Sequence, residues 1–102
     1  MKLEWAEPAV LDLESIRDYI AKDSEYYAAR FVARITEAAE TLPNHPLIGR
    51  AVPEAEDNAI RELLFQNYRI IYRAESDRIL ILTVLHGGRD LSRLEPKPWD
   101  VV

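Results

Sequence analysis

The apolar positions of this chain change their period partway along. Between Glu7 and Leu42 they recur every third or fourth residue; between Ile60 and Leu85 they alternate or run together. The first pattern belongs to helices with one buried stripe and the second to strands. Val10, Leu13, Ile16 and Ile20 predict a helix opened by Glu7-Pro8, because proline at the first helical position loses no hydrogen bond and has its φ already set. Lys22-Asp23-Ser24 breaks that helix, and Asp23 or Ser24 can accept from the free amides of a second one. There Ala28, Phe31, Ile35, Ala38 and Leu42 form the stripe, and alanines at 28, 29, 38 and 39 permit close approach. So short a link makes the two helices an antiparallel hairpin.

Ahead of the hairpin, Leu3 and Trp5 share one face of a short strand over Lys2 to Trp5. After it, Leu42-Pro43-Asn44-His45-Pro46 stops the helix, since each residue before a proline is driven from helical geometry. The connection on to Ala59, with Gly49, Pro53 and the acidic Glu54, Glu56 and Asp57, is expected to be the most mobile part. Three strands follow, Ile60 to Phe65, Tyr68 to Ala74 and Arg78 to Leu85, joined by Gln66-Asn67 and Glu75-Ser76-Asp77. In the middle strand Tyr68, Ile70 and Tyr72 take one face and Arg69, Ile71 and Arg73 the other. The last run is apolar on both faces, which predicts a central strand. Pairing it with the N-terminal strand gives an α+β fold: a four-stranded, mostly antiparallel sheet built on an antiparallel meander, one face burying the helical hairpin and the other carrying arginines.

At 102 residues the chain is expected to be a single domain, residues 1–102, with 92–102 a C-terminal tail. The sequence lacks an apolar run near transmembrane length and a signal-peptide pattern at MKLEWAEPAV, so a cytoplasmic location and no membrane partner are expected. Zero cysteines and two histidines leave no metal-ligand spacing, and no cofactor or metal is expected. The net charge of -5 disfavours binding to nucleic acid through phosphates, and direct sequence-specific DNA binding by this chain alone is not expected. The charge is uneven: residues 1–58 hold 12 acidic and 6 basic side chains, residues 59–102 hold 6 and 7. That asymmetry suggests a protein target or a local anion site.

Several residues admit two readings. Tyr26 and Tyr27 are either a partner-binding aromatic pair or a pair in which one ring enters the core and the other covers it. Arg61, Arg69 and Arg73 are either a contact surface or members of cross-strand pairs with Glu62, Glu75 or Asp90. His86 is read first as a strand-end histidine bonded to the backbone of the next turn, and Arg89 with Asp90 can brace the Gly87-Gly88 bend. His45 sits at a helix end, where interaction with the last carbonyls is the ordinary explanation. Trp99, in a tail whose prolines oppose regular structure, either folds back or anchors a partner.

The order of strand, hairpin, PLIGR loop, RELLFQNYRIIYR and ILILTVLHGGRDL resembles the RelE/ParE superfamily of toxins, from about Leu3 to Leu91. The more specific parts are His45-Pro46 with Gly49-Arg50, Arg61-Glu62-Leu63, Tyr68 to Arg73, and Val84-Leu85-His86 followed by Arg89-Asp90. The resemblance implies a toxin of a type II toxin-antitoxin module, of the kind associated with plasmid stabilization. Its partner would be a cognate antitoxin that wraps its surface, for which Tyr26, Tyr27, Leu47, Ile48 and Leu91 are the candidate contacts. RelE-like members cut messenger RNA on the ribosome; ParE-like members bind DNA gyrase.

A nuclease needs a base for the 2′-hydroxyl, cations for the crowded phosphate and an acid for the leaving oxygen. Arg61, His86 and Arg89 are the residues here that could serve, as a metal-independent endoribonuclease. RelE-like members draw also on sheet lysines and a late tyrosine or histidine. This chain has only Lys2, Lys22 and Lys97, none in the three strands of the meander, and no tyrosine after Tyr72. Those departures favour the ParE-like reading, with Arg61, Arg69, Arg73, Arg89 and Trp99 as candidate target contacts. A ribosome-dependent nuclease and a non-toxic antitoxin-binding relative are the alternatives.

Overall fold

The computed structural model describes residues 1–101. Strand β1 (Lys2–Trp5) leads into helices α1 (Glu7–Ala21) and α2 (Glu25–Glu40), then come β2 (Arg50–Ala51), β3 (Ile60–Phe65), β4 (Tyr68–Ala74), β5 (Arg78–His86) and a short helix α3 (Pro98–Val101). Ser24 caps α2 by accepting from the Tyr27 amide at 3.2 Å. The buried side of α1 runs through Ala9, Leu13, Ile16 and Ile20; Val10, expected on that stripe, is 40% exposed.

The sheet has five strands in the order β1-β5-β4-β3-β2, one more than the four expected. The addition is β2, whose two residues pair with Glu62 and Arg61 of β3. It escapes periodicity because two residues show no alternation. All pairs are antiparallel except β1 with β5, which are parallel from Lys2↔Arg78 to Trp5↔Ile81. As expected, β5 is flanked on both sides, by β1 and β4, and its residues from Ile79 to Leu85 are all buried.

A bulge falls in β5: Ile71 and Tyr72 pair with Thr83 and Ile81, leaving Leu82 without an opposite residue. Ile79, Ile81 and Val84 therefore join the cluster beneath the helices, and Leu80, Leu82 and Leu85 the other. Beyond Trp5 the outer edge of β5 has no strand beside it. Asp12 of α1 fills in there, accepting from the Val84 amide at 3.1 Å and from the Thr83 hydroxyl.

Both faces of the sheet are packed. Between the hairpin and the sheet, Ala9, Phe31, Ile35 and Ala39 of the helices meet Ile70 and Tyr72, with Leu42 beside them; on the opposite face Val52, Ile60, Ile71 and Leu91 are covered in part by Leu94 and Trp99 of the tail. The expectation of an open cationic second face is thus corrected, because the tail folds over much of it. Arg73 holds it down by donating to the Trp99 carbonyl at 2.7 Å. Lys97 adds a knot, its ammonium donating to the carbonyls of Leu91, Ser92 and Leu94 at 2.8–3.2 Å.

Candidate functional site

In β3 the apolar face Ile60-x-Glu62-x-Leu64 is interrupted by a carboxylate, and that interruption organises the site. The Glu62 side chain is fully buried and accepts from Nε of Arg50 on β2 and Nε of Arg69 on β4. Arg69 is nearly buried and reaches Glu54, at 3.5 Å, on the turn Pro53–Ala55. An ion pair so placed must be well bonded to offset its desolvation, and here three strands each contribute one member. Beside it opens a cleft of about 700 Å³ lined by Arg50, Glu54, Leu64, Tyr68, Arg69 and His86 among others. Arg50, noted in the sequence only within Gly49-Arg50, is not among the candidate site residues there, because it reads as a loop arginine. The usable signal was Glu62, a charge in an apolar register that requires a cation on each side.

Most of the predicted site residues are dispersed around the fold, but His86 and Arg89 line one pocket with Asp12 and Tyr68, and His86 shares the cleft with Arg69. Arg61 pairs with Tyr72 and so lies on the helix side of the sheet, whereas Arg69 and Arg73 lie on the other. Its Nη1 donates to the Asn58 carbonyl at 3.4 Å, and its buried Nε has no hydrogen-bond acceptor, for which the structure offers no reason. Arg69, expected as a target contact, is engaged with Glu62 and Glu54 instead, because no water can reach the carboxylate it neutralises. Arg73 is half-buried, with Glu75 at 3.8 Å and the Trp99 carbonyl as partners. Arg89 is exposed, and its expected brace with Asp90 is replaced: Asp90 accepts from Ser92 and faces Arg93 at 3.4 Å. The Ser92 bonds hold the Asp90 carboxyl below its ordinary range. Trp99 is partly buried against the second cluster.

His86 ends β5, exposed, with Nδ1 accepting from the Gly88 amide at 3.2 Å and its ring edge-on to Tyr68. Of the candidate antitoxin contacts, Tyr26, Tyr27, Leu47 and Ile48 are all 59–66% exposed. Neither tyrosine enters the core, which corrects that alternative; they pack edge to face on each other. Leu91 is fully buried in the second cluster, so it is removed as a surface contact: its side chain fills the space under the tail.

Behind the cleft, Tyr72 latches the loop before β2. Its hydroxyl donates to the Pro46 carbonyl at 2.8 Å and accepts from the Gly49 amide at 3.1 Å. Burial pushes this hydroxyl above its ordinary value of 10.0, opposed by the Gly49 bond and the Arg61 charge. A raised value means the neutral form is the folded form. The latch therefore contributes fully below pH 10.0 and is lost as the pH rises through the folded value. Tyr72→Phe is expected to cost about 1–3 kcal/mol in urea unfolding at neutral pH, since two buried groups lose their partner. It should also flatten the alkaline fall in stability, and a variant as alkali-sensitive as the parent would exclude Tyr72 as its source.

A helical hairpin on a mostly antiparallel sheet, with an arginine-carboxylate network at one edge, defines a small α+β protein of the RelE/ParE toxin class. The family model described as "ParE toxin of type II toxin-antitoxin system, parDE" matches residues 3–91, and the chain belongs to that family. It is a toxin of a type II toxin-antitoxin system in the ParE/RelE superfamily. Among relatives, Y4kP of Sinorhizobium fredii is 38% identical over 88 residues, covering 84% of this chain and 88% of that one. Toxin RelE2 of Caulobacter vibrioides is 33% identical over 86 residues, covering 83% and 93%. The structure of the chromosomal ParDE TA system from P. aeruginosa aligns with a TM-score of 0.71 at 26% identity, covering 84% of this chain and 95% of that one. The toxin-antitoxin complex RelBE2 from Mycobacterium tuberculosis shares the fold, with a TM-score of 0.62 at 21% identity over 83% and 95%. Among the described residues no helix is long and apolar enough to cross a membrane, and no group of three His, Cys, Asp or Glu could hold a metal.

Proposed function

We propose that this toxin acts in the cytoplasm by binding DNA gyrase directly, without cofactor, and is neutralised by a cognate antitoxin. The observation that carries the reading is the separation of Arg61 from His86 and Arg89, which line one pocket together. Arg61 lies four residues along β3 from Phe65, which is level with Tyr68 and His86. That places Arg61 roughly 13 Å along the strand direction and two strands across from His86, too far for both to act on one phosphate. Arg69, which lines the cleft together with His86, is already neutralised by carboxylates. Contact between proteins requires no such convergence. Both structural neighbours come from toxin-antitoxin systems, which supports the antitoxin partner.

Purified protein is expected to inhibit DNA supercoiling by gyrase, with activity restored when the antitoxin is added. The same preparation should leave transcripts intact in a translation reaction. Codon-dependent cleavage with unaffected gyrase would overturn the reading in favour of a RelE-like ribosome-dependent endoribonuclease, and inertness in both assays would leave a non-toxic antitoxin-binding relative.

A further inference from the structure

On the outer side of α2, between the helix and the β3–β4 turn, lies a pocket of about 250 Å³ lined by Ile20, Tyr27, Arg30, Phe31, Arg34 and Gln66. Its lining has two cations and no carboxylate, in a chain whose net charge is -5. Arg30 reaches only the Tyr26 hydroxyl at 3.4 Å, and Arg34 has no hydrogen-bond or ion-pair partner among the described residues. Like charges four apart on a helix repel, at a cost of about 0.2–0.5 kcal/mol. The fold gains nothing visible from this pair.

Gln66 adds a second, independent oddity. It occupies the first position of the two-residue β3–β4 turn at φ 52°, a left-handed conformation that favours glycine. The strain, of order 1–2 kcal/mol, keeps a carboxamide at the mouth of the pocket where glycine would leave nothing.

We propose that this pocket docks an acidic segment of the neutralising antitoxin. Two carboxylates about 6 Å apart, the rise between Arg30 and Arg34, would each meet one guanidinium, while an apolar neighbour enters between Tyr27 and Phe31. Gln66 would donate to the segment's backbone. A protein segment fits better than nucleic acid, because only two cations face the pocket and the net negative charge of the chain repels a continuous phosphate backbone. The inference rests on the antitoxin reading above and specifies where and by what chemistry that partner is held.

The test uses the full chain and the full antitoxin, the product of the reading frame adjoining this gene, in isothermal titration at low and raised salt. Arg30→Gln/Arg34→Gln should weaken binding at least about tenfold, the loss of one charge-assisted contact, and make it less salt-sensitive. Arg30→Lys/Arg34→Lys should recover part of the loss. Both side chains are exposed, so the thermal midpoint should not fall. Equal affinity of parent and Gln variant would overturn this inference alone. Failure of the parent chain to bind would remove the antitoxin reading as well. A single-stranded RNA oligonucleotide bound by the parent and lost in the Gln variant would reassign the pocket to nucleic acid.

Discussion

Glu62→Ala is expected to lower the stability of the toxin by about 3–5 kcal/mol, a large share of the 5–15 kcal/mol that holds a domain of this size folded. The cost comes from what the substitution leaves behind. Arg69 is nearly buried, its Nε directed at Glu62, and its remaining acceptor is Glu54 at a long 3.5 Å. A charge stranded there has neither water nor a close partner. Arg50 is mostly exposed and can turn outward, so the loss is concentrated on the Arg69 side. Urea denaturation of Glu62→Ala beside Arg69→Leu/Glu62→Leu would separate the causes. Replacing both partners with apolar side chains should recover most of the loss, because the desolvation cost of both charges disappears with them. A Glu62→Ala loss below about 1 kcal/mol, the range of an exposed pair, would show that the network is solvated in solution.

Gly49→Ala is expected to cost about 2–4 kcal/mol, combining overpacking with a lost hydrogen bond. A Cβ at this position would stand 2.5 Å from the Glu62 carbonyl oxygen and 2.7 Å from the Tyr72 hydroxyl. The first obstacle is backbone in a paired strand and cannot swing away. Relief would require β2 to lift from β3, which breaks the Gly49–Tyr72 bond and loosens Arg50 from Glu62 together. In hydrogen exchange the amides of Gly49 and Val52, the latter bonded to the Ile60 carbonyl at 3.0 Å, should lose protection ahead of those in β4. An unchanged urea midpoint would mean that the loop accommodates a methyl group without moving.

What could be read from the chain before folding follows from the range of each interaction. The helical hairpin and the β3–β4–β5 meander were legible because neighbours in sequence define them: spacings of three and four, alternation, and caps such as Ser24. β1 alongside β5 was legible because β5 is apolar on both sides and needs two neighbours. The site was less so. Arg50, Glu54, Glu62 and Arg69 come together across three strands and a turn, and as isolated charges they look like solvated surface. Burial of Leu91 and the partial cover of Trp99 depend on a tail whose composition suggests no regular structure. Tyr26 and Tyr27 failed in the opposite sense: aromatic side chains beside an amphipathic stripe suggest burial, yet the phase of α2 directs Ala28 and Phe31 inward and both tyrosines out.

The parallel pairing of β1 with β5 also sets an order of assembly. Arg78 donates to Glu4 at 2.7 Å across 74 positions of sequence, and the strand that completes the core is the last of the five to be synthesised. Until β5 emerges from the ribosome, Leu3 and Trp5 have no strand beside them and the hairpin has no finished sheet to lie on. Local helices form early, but this closure of the chain on itself must come late. A growing toxin chain is therefore without its finished surface until β5 has been made, and its window for meeting any partner in the native form opens only then.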